Sequence, residues 1–439
     1  MRSAIGVASG SPFVANTVGV PAVGGALTPP ALDLNFKHND ALDPRITFTR
    51  ASSGTRVNPS GLIESLGNDV PRFDYDPVTL SARGLLIEEQ RTNSLRNSEA
   101  GGASAGTPGT LPTNWTESHL AAGLTRQIVS IGSSGGLNYV DFRISGTAGD
   151  ATGWQIEFEA YTFVNAVSGE NWALSFYCYL LAGSVVGVSN FNCRIVEGNP
   201  GYLADSLASF TPGSTSSLIQ ARRTCQRTLN NVSTTKVRGA LFIAIANGQT
   251  VDFTLRVAAP QLEGNAAIFS TSYIPTTAAA ATRAADVARM TGTNFSDWFN
   301  ATEGTFVVQG DLRGPAGVLP TLISADNGTA AERIQLRASI DLLQLNFSCT
   351  TGSVNQANLS GGTFVAGSLM KIASAYKVND FSASFNGGAA VVDTVGTVAA
   401  PNQMQIGIGP NSVATNGHIQ RLTYYNKRLP DATLQALST

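Results

Sequence analysis

The sequence predicts an all-β chain in which an extended N-terminal arm and a hairpin-rich collar precede two β-sandwiches. Three observations predict it. Alternating apolar and polar runs of five to eight residues, closed by Gly, Asn, Ser or Pro, recur along the chain. Glu, Lys and Leu seldom recur at helical spacing, so amphipathic helices are not expected. With 45 Gly, 19 Pro and only 13% charged residues, the composition favours turns over solvated helix faces. A chain of 439 residues is too long for one ordinary core. Five segments are expected: an arm over 1–30, a collar over 31–100, a first sandwich over 101–263, a connector over 264–300 and a second sandwich over 301–439.

The arm is low in charge and broken by Gly and Pro every few residues, which excludes a stable helix. It reads either as an extended segment ordered on a partner or as a disordered tail. The collar, Leu32–Asn97, carries the strand pattern of Ile46 and Phe48, a turn at Asn58-Pro59-Ser60-Gly61 and the short strand Leu62–Glu64. Asp74 and Asp76 flank Tyr75 as candidate calcium ligands. No third carboxylate stands nearby, so an ordinary turn at Asp76-Pro77 is preferred and no metal is expected.

Gly101–Gly109 reads as a linker, and eight strands follow between Thr125 and Ala258, a number and spacing that suit a jelly roll. Within Trp172–Leu181, Trp172 and Phe176 lie on one parity and Tyr177 and Tyr179 on the other, as in a strand buried on both faces. Cys178, Cys193, Cys225 and Cys349 form no metal-binding spacing; buried thiols are expected, with a Cys178–Cys193 disulfide as the alternative. The connector runs PQLEGNAAIFSTSYIPTTAAAATRAADVARM from Pro260 to Met290. Pro275 enforces an extended approach, and the Ala-rich tract is expected to stay extended across both sandwiches, with a short helix as the alternative. Beyond it, Met370–Lys377 and Phe381–Phe385 meet at Asn379-Asp380, Asn386-Gly387-Gly388 forms a second tight turn, and Gly417–Tyr425 closes the unit before a short helix at Asp431–Leu437.

The order RASSGT, GLIE, PRFDYDP, GLLIEEQRTN and, much later, QLEGN with TSYIPTTAAAATRAAD resembles a recurrent module set of bacteriophage virion proteins, chiefly tail-fibre, tail-tip and head-fibre proteins. The resemblance covers Leu32–Asn97 and Val251–Asp286. The last unit, with its Tyr-Lys-Val-Asn strand and Phe-Ser-Ala-Ser-Phe-Asn-Gly hairpin, resembles a concanavalin A-like, laminin-G-like sandwich. What the resemblance implies is a fibre or spike component on the virion surface, made in the bacterial host cytoplasm. It would be held to other virion proteins by its arm, assembled as a homotrimer, and bound to host surface polysaccharide through sandwiches of carbohydrate-binding type. A purely structural decoration or connector protein is the alternative, and a glycan depolymerase a second one.

A net charge of −2 gives no footprint for nucleic acid, and no apolar run approaches the ~20 residues of a membrane span. No cofactor is expected, since no glycine-rich phosphate loop precedes a helix. The best catalytic candidates are Glu157 and Glu159, two apart on one strand and therefore on one face, as paired carboxylates in glycoside hydrolysis need to be. A solvated outer face explains them as well, Tyr161 stands where a third acid would be wanted, and the chain is expected not to be an enzyme. His38, His119 and His418 lie in separate segments without a nucleophile elbow, and His418 is expected at a rim. Sugars are held by aromatic faces with a few fixed polar groups, which makes Trp115, Tyr139, Tyr202 and Tyr424 the candidate ligand-binding residues.

Overall fold

The computed structural model describes residues 29–37, 41–160, 164–215, 217–264, 269–314, 318–410 and 414–439. Residues 1–28 of the expected arm, together with His38 and Tyr161, lie outside the described residues. The chain is almost entirely β, built as two sandwiches.

The first sandwich packs two five-stranded antiparallel sheets. One runs in the order Arg222–Thr228, Asn171–Ser184, Thr250–Gly264, Leu137–Thr147, Leu124–Ser134; the other in the order Gly201–Phe210, Val188–Asn199, Lys236–Ile245, Trp154–Glu157, Thr116–Leu120. Alternate residues of the facing strands fill the space between them, including Phe142, Trp154, Phe176, Phe191 and Phe253, all buried. Cys193 and Cys225 form a disulfide between the two sheets, while Cys178 and Cys349 are free and buried. The expectation of buried free thiols therefore holds for Cys178 and Cys349 but not for Cys193 and Cys225, and the alternative Cys178–Cys193 pairing is not formed. Cys225 lies on Arg222–Thr228, the neighbour of Asn171–Ser184 in the first sheet, and it is this strand that brings a cysteine to a Cα separation of 5.7 Å from Cys193 of the facing sheet. The long strand Asn171–Ser184 is buried on both faces for two different reasons. Trp172, Leu174, Phe176 and Cys178 point into the sandwich, whereas Tyr177 and Tyr179 pack outward against Ile63, Leu218, Ile219 and Tyr273.

The second sandwich has one eight-stranded and one seven-stranded sheet. It is not assembled from the C-terminal third alone. Its closing strand Gly417–Tyr425 pairs on one side with Glu303–Gly310 and on the other with two collar strands, Leu32–Asn35 and Ala82–Ile87, and Arg72–Tyr75 continues the sheet. In the facing sheet, Thr47–Thr49 and the connector strand Val287–Thr291 lie beside Gln403–Ile406. The collar expected over 31–100 is therefore largely part of the second sandwich. Burial explains why: Leu32, Leu34, Phe73, Leu85 and Ile87 have no core of their own and complete the one around Phe306, Ile372 and Tyr424. Gly84 permits the approach, since at φ +105° a Cβ there would run into the carbonyl of Ile419.

The connector is extended, with strands at Ala281–Arg283 and Val287–Thr291. Ala281–Arg283 pairs with Arg91–Asn93. Trp298 and Phe295 then fold onto Tyr424, with Trp298 5.0 Å from each ring, so the aromatic anchor after the connector belongs to the core.

Candidate functional site

The residues that carry the phage-module resemblance converge in space. Arg50, Arg72, Glu88, Arg283 and Asp286 form a buried ion network between the sandwiches. Asp286 accepts from Arg50 Nη1 at 3.1 Å, from Arg72 Nη2 and from the backbone N–H of Glu88 at 2.9 Å. Glu88 accepts from Arg72 Nη1 at 2.7 Å and from the backbone N–H and hydroxyl of Ser272, and Arg283 lies 3.0 Å from it. Burial alone would push the Glu88 carboxyl up, but Arg283 and Arg72 hold it well below the usual carboxylate range. Asn93 ties in the connector by donating to the carbonyls of Pro260 and Ile274 and accepting from the N–H of Leu262. Each charge in this network has an opposite partner, which is the condition for burying charge at all.

Glu88 of this network lines a cavity of about 270 Å³. The collar contributes Arg56, Asp74, Tyr75 and Arg83; the connector contributes Phe269 to Tyr273; the first sandwich contributes Tyr177, Ile219 and Arg222; the second contributes Asp311, Arg313 and His418. Sites of this kind favour boundaries between domains, where concave surface arises without disturbing either core.

One wall is an Asp–His–Asp cluster. His418 Nδ1 lies 2.8 Å from Asp311 Oδ2 and its Nε2 lies 2.9 Å from Asp74 Oδ2. A neutral imidazole has one N–H, and carboxylates on both nitrogens call for two. Burial disfavours the imidazolium, but Asp311 and Asp74 overcome it and raise the His418 pKa to about 9. Burial also opposes ionisation of Asp311, yet His418 holds its carboxyl below the ordinary value. His418 is thus a buried cation rather than a rim residue, because the collar strand Arg72–Tyr75 covers it.

The residues expected at a site are scattered. Asp74 serves His418 and the N–H of Val57, and Asp76 accepts from the N–H groups of Val78 and Thr79 to close a turn. Among the described residues no cluster of three or more His, Cys, Asp or Glu is arranged to hold a metal. Glu157 and Glu159 are buried rather than solvated. Glu157 accepts from Arg238 and Gln155, and Glu159 from the N–H and guanidinium of Arg96, so neither faces a cleft. Trp115 is a core residue, 5.0 Å edge-on to Phe158 with its Nε1 donating to the Asn97 carbonyl. Tyr424 is fully buried, bonded to the Tyr376 hydroxyl and to the N–H of Asn300. Tyr139 has the Arg256 guanidinium 3.4 Å from its ring centre. Of the four, Tyr202 alone is exposed, on the edge strand Gly201–Phe210. Arg83, Arg222, Arg313 and Asp311, which line the cavity, carry no local signal in the sequence; they come together only through the packing of three segments.

No protein-family model matches the chain, and no curated protein sequence matches it. Solved structures similar to it include the CBM40 module of a Ruminococcus gnavus IT-sialidase bound to α2,6-sialyllactose, at 16% identity and a TM-score of 0.27 over 32% of this chain and 85% of that one. Another is domain 4 of an extracellular arabinanase from Geobacillus stearothermophilus in complex with arabinotriose, at 13% identity and a TM-score of 0.28 over 39% of this chain and 82% of that one. A mutant NanB sialidase from Streptococcus pneumoniae is similar at 14% identity and a TM-score of 0.28, over 34% of this chain and 26% of that one. At such values the likeness carries no argument about ligand, and the cavity is judged on its own chemistry.

Proposed function

We propose that the chain is a bacteriophage fibre or spike component that binds host surface glycans in the cavity between its sandwiches, without covalent chemistry. The observation that carries this reading is the lining of the cavity. Rings of Tyr75 and Phe269 stand beside fixed polar groups of Arg222, Ser272 and Asp311, a combination suited to the C–H faces and hydroxyls of a sugar. The buried network beneath holds these groups in place before any ligand arrives, which lowers the ordering cost of binding. A non-enzymatic role is supported by Glu157 and Glu159, whose buried carboxylates are paired with Arg238 and Arg96. Attachment through the N-terminal arm to other virion proteins and a homotrimeric assembly on the virion surface complete the reading, with avidity raising weak single-site contacts to useful adhesion.

The test is binding of the whole chain to host cells and to their purified surface polysaccharide, with released sugar followed in the same samples. Saturable binding without release, lost at least tenfold in Phe269→Ala and Tyr75→Ala, is the expected result. Absence of binding even in a trimerised form points to the decoration or connector role, and release of oligosaccharide to the depolymerase.

A further inference from the structure

The charges around the cavity are not balanced. Both carboxylates of the Asp–His–Asp wall are engaged by His418, Asp74 accepting also from the N–H of Val57. Glu88 is neutralised from behind by Arg72 and Arg283, and Arg56 is paired with Glu64 at 2.6 Å. Three guanidinium groups remain. Arg222 donates only to neutral oxygens, the hydroxyl of Ser175 at 2.9 Å and the carbonyl of Thr271 at 2.7 Å, and its Nε has no partner. Arg83 comes no nearer to a carboxylate than 4.0 Å, and that carboxylate, Asp311, already holds His418 at 2.8 Å. Arg313 makes no ion pair or side-chain hydrogen bond among the described residues, and its side chain lies so close to Gly367 that a Cβ there would sit 2.7 Å from its Nε. The Ser270 hydroxyl, also in the lining, has no partner either.

Resting on the glycan-binding reading of the same cavity, we infer that its ligand is an acidic saccharide whose anionic group is held among Arg83, Arg222 and Arg313 while its ring lies against Phe269 and Tyr75. The planar guanidinium fork matches a carboxylate or a sulfate ester, and its rigid geometry costs less ordering than a lysine would. Neutral sugars leave these cations without a counter-charge. Acidic ones supply it in a partly enclosed site where water screens the interaction less.

The experiment is an array of uronate, sialate and sulfated oligosaccharides, each beside its carboxyl-reduced or desulfated counterpart, probed with the whole chain and followed by titration calorimetry of the binders. An acidic form should bind at least about tenfold tighter than its neutral counterpart, with affinity falling as salt is raised from 0.05 to about 0.5 M. Arg313→Gln and Arg83→Gln, at half-buried positions without close ion pairs, should lose that preference, the acidic form falling toward the affinity of its neutral counterpart for the same variant. The salt dependence of the unaltered protein gives a readout that needs no variant. Equal binding of acidic and neutral forms, abolished by Phe269→Ala, overturns the inference and leaves the glycan-binding cavity standing. Carboxylate and sulfate members of the array separate the two anionic groups. Binding by no member of the array overturns both readings.

Discussion

Single residues at the joint are held in balance, and removing one exposes the cost of the others. Asp286 is the counter-charge of both Arg50 and Arg72, and all three are fully buried. Asp286→Asn should therefore destabilise the protein by about 3–5 kcal/mol, read as a lower denaturant midpoint, because two guanidinium groups are left buried with half their compensation. An effect below 1 kcal/mol would mean that water reaches the network. His418 makes a second prediction through pH. Its folded pKa, about 9, is raised above the ordinary 6.5, so its contribution is fully present below pH 6.5 and is lost as the pH rises through about 9. Integrated over that window the loss is about 3 kcal/mol. Asp311 acts in the opposite direction: its folded pKa is lowered, so its contribution is present above its ordinary value of 3.8 and disappears as the solution is made more acid. Urea midpoints should hold steady from about pH 5 to 6.5 and fall toward pH 9.5, and His418→Gln should start lower and flatten the alkaline limb. The sequence showed Asp74 and His418 as residues but not as a pair, since 344 positions separate them.

Among the elements, apolar strands within the sheets were the most legible, and some edge strands were missed. The runs around Trp172, Phe253 and Phe306 are apolar because both neighbours and a core press on them. Three strands that the sequence did not mark, Thr116–Leu120, Gly201–Phe210 and Val354–Thr363, stand at the ends of their sheets, whereas Ala82–Ile87 and Val287–Thr291, also unmarked, lie inside theirs. Half exposed, the three edge strands are written in Ser, Asn, Gly and Thr and look like loops. The tight turns were legible because they need particular backbone angles: Asn379, Asn386 and Gly387 all have positive φ, where Asn and Gly are least strained. The inter-sheet disulfide closes a separation of 32 residues, and Cys193→Ala with Cys225→Ala should lower stability by roughly 3–4 kcal/mol on loop-closure grounds. An unchanged melting temperature on reduction would contradict this. Gly84→Ala should disrupt the seam between Ala82–Ile87 and Gly417–Tyr425 more than Gly248→Ala, whose missing side chain meets nothing within 4 Å, although both have positive φ. Comparing the two denaturant midpoints isolates the close approach from the backbone strain.

At the scale of the molecule, the chain weaves the described residues between 29 and 93 into its last domain. The sequence marked these modules in the right order but not their pairing, because contacts between strands hundreds of residues apart leave no local periodicity. One consequence is that the fragment Ala284–Thr439 should not fold alone: Gly417–Tyr425 would lose two of its neighbours and expose Leu422 and Tyr424. Adding residues 29–100 in trans should restore soluble, cooperatively unfolding protein; a stable fragment without them would contradict the woven architecture. The same weave places the cavity, since it is the collar that bridges the two sandwiches around it. The most direct test of the central claim is hydrogen–deuterium exchange of the whole chain with and without host surface polysaccharide. Protection concentrated over residues 72–88, 269–273 and 416–418 is the predicted result. Protection confined to the outer face around Tyr202, or none at saturating polysaccharide, would contradict a glycan-binding cavity at the joint.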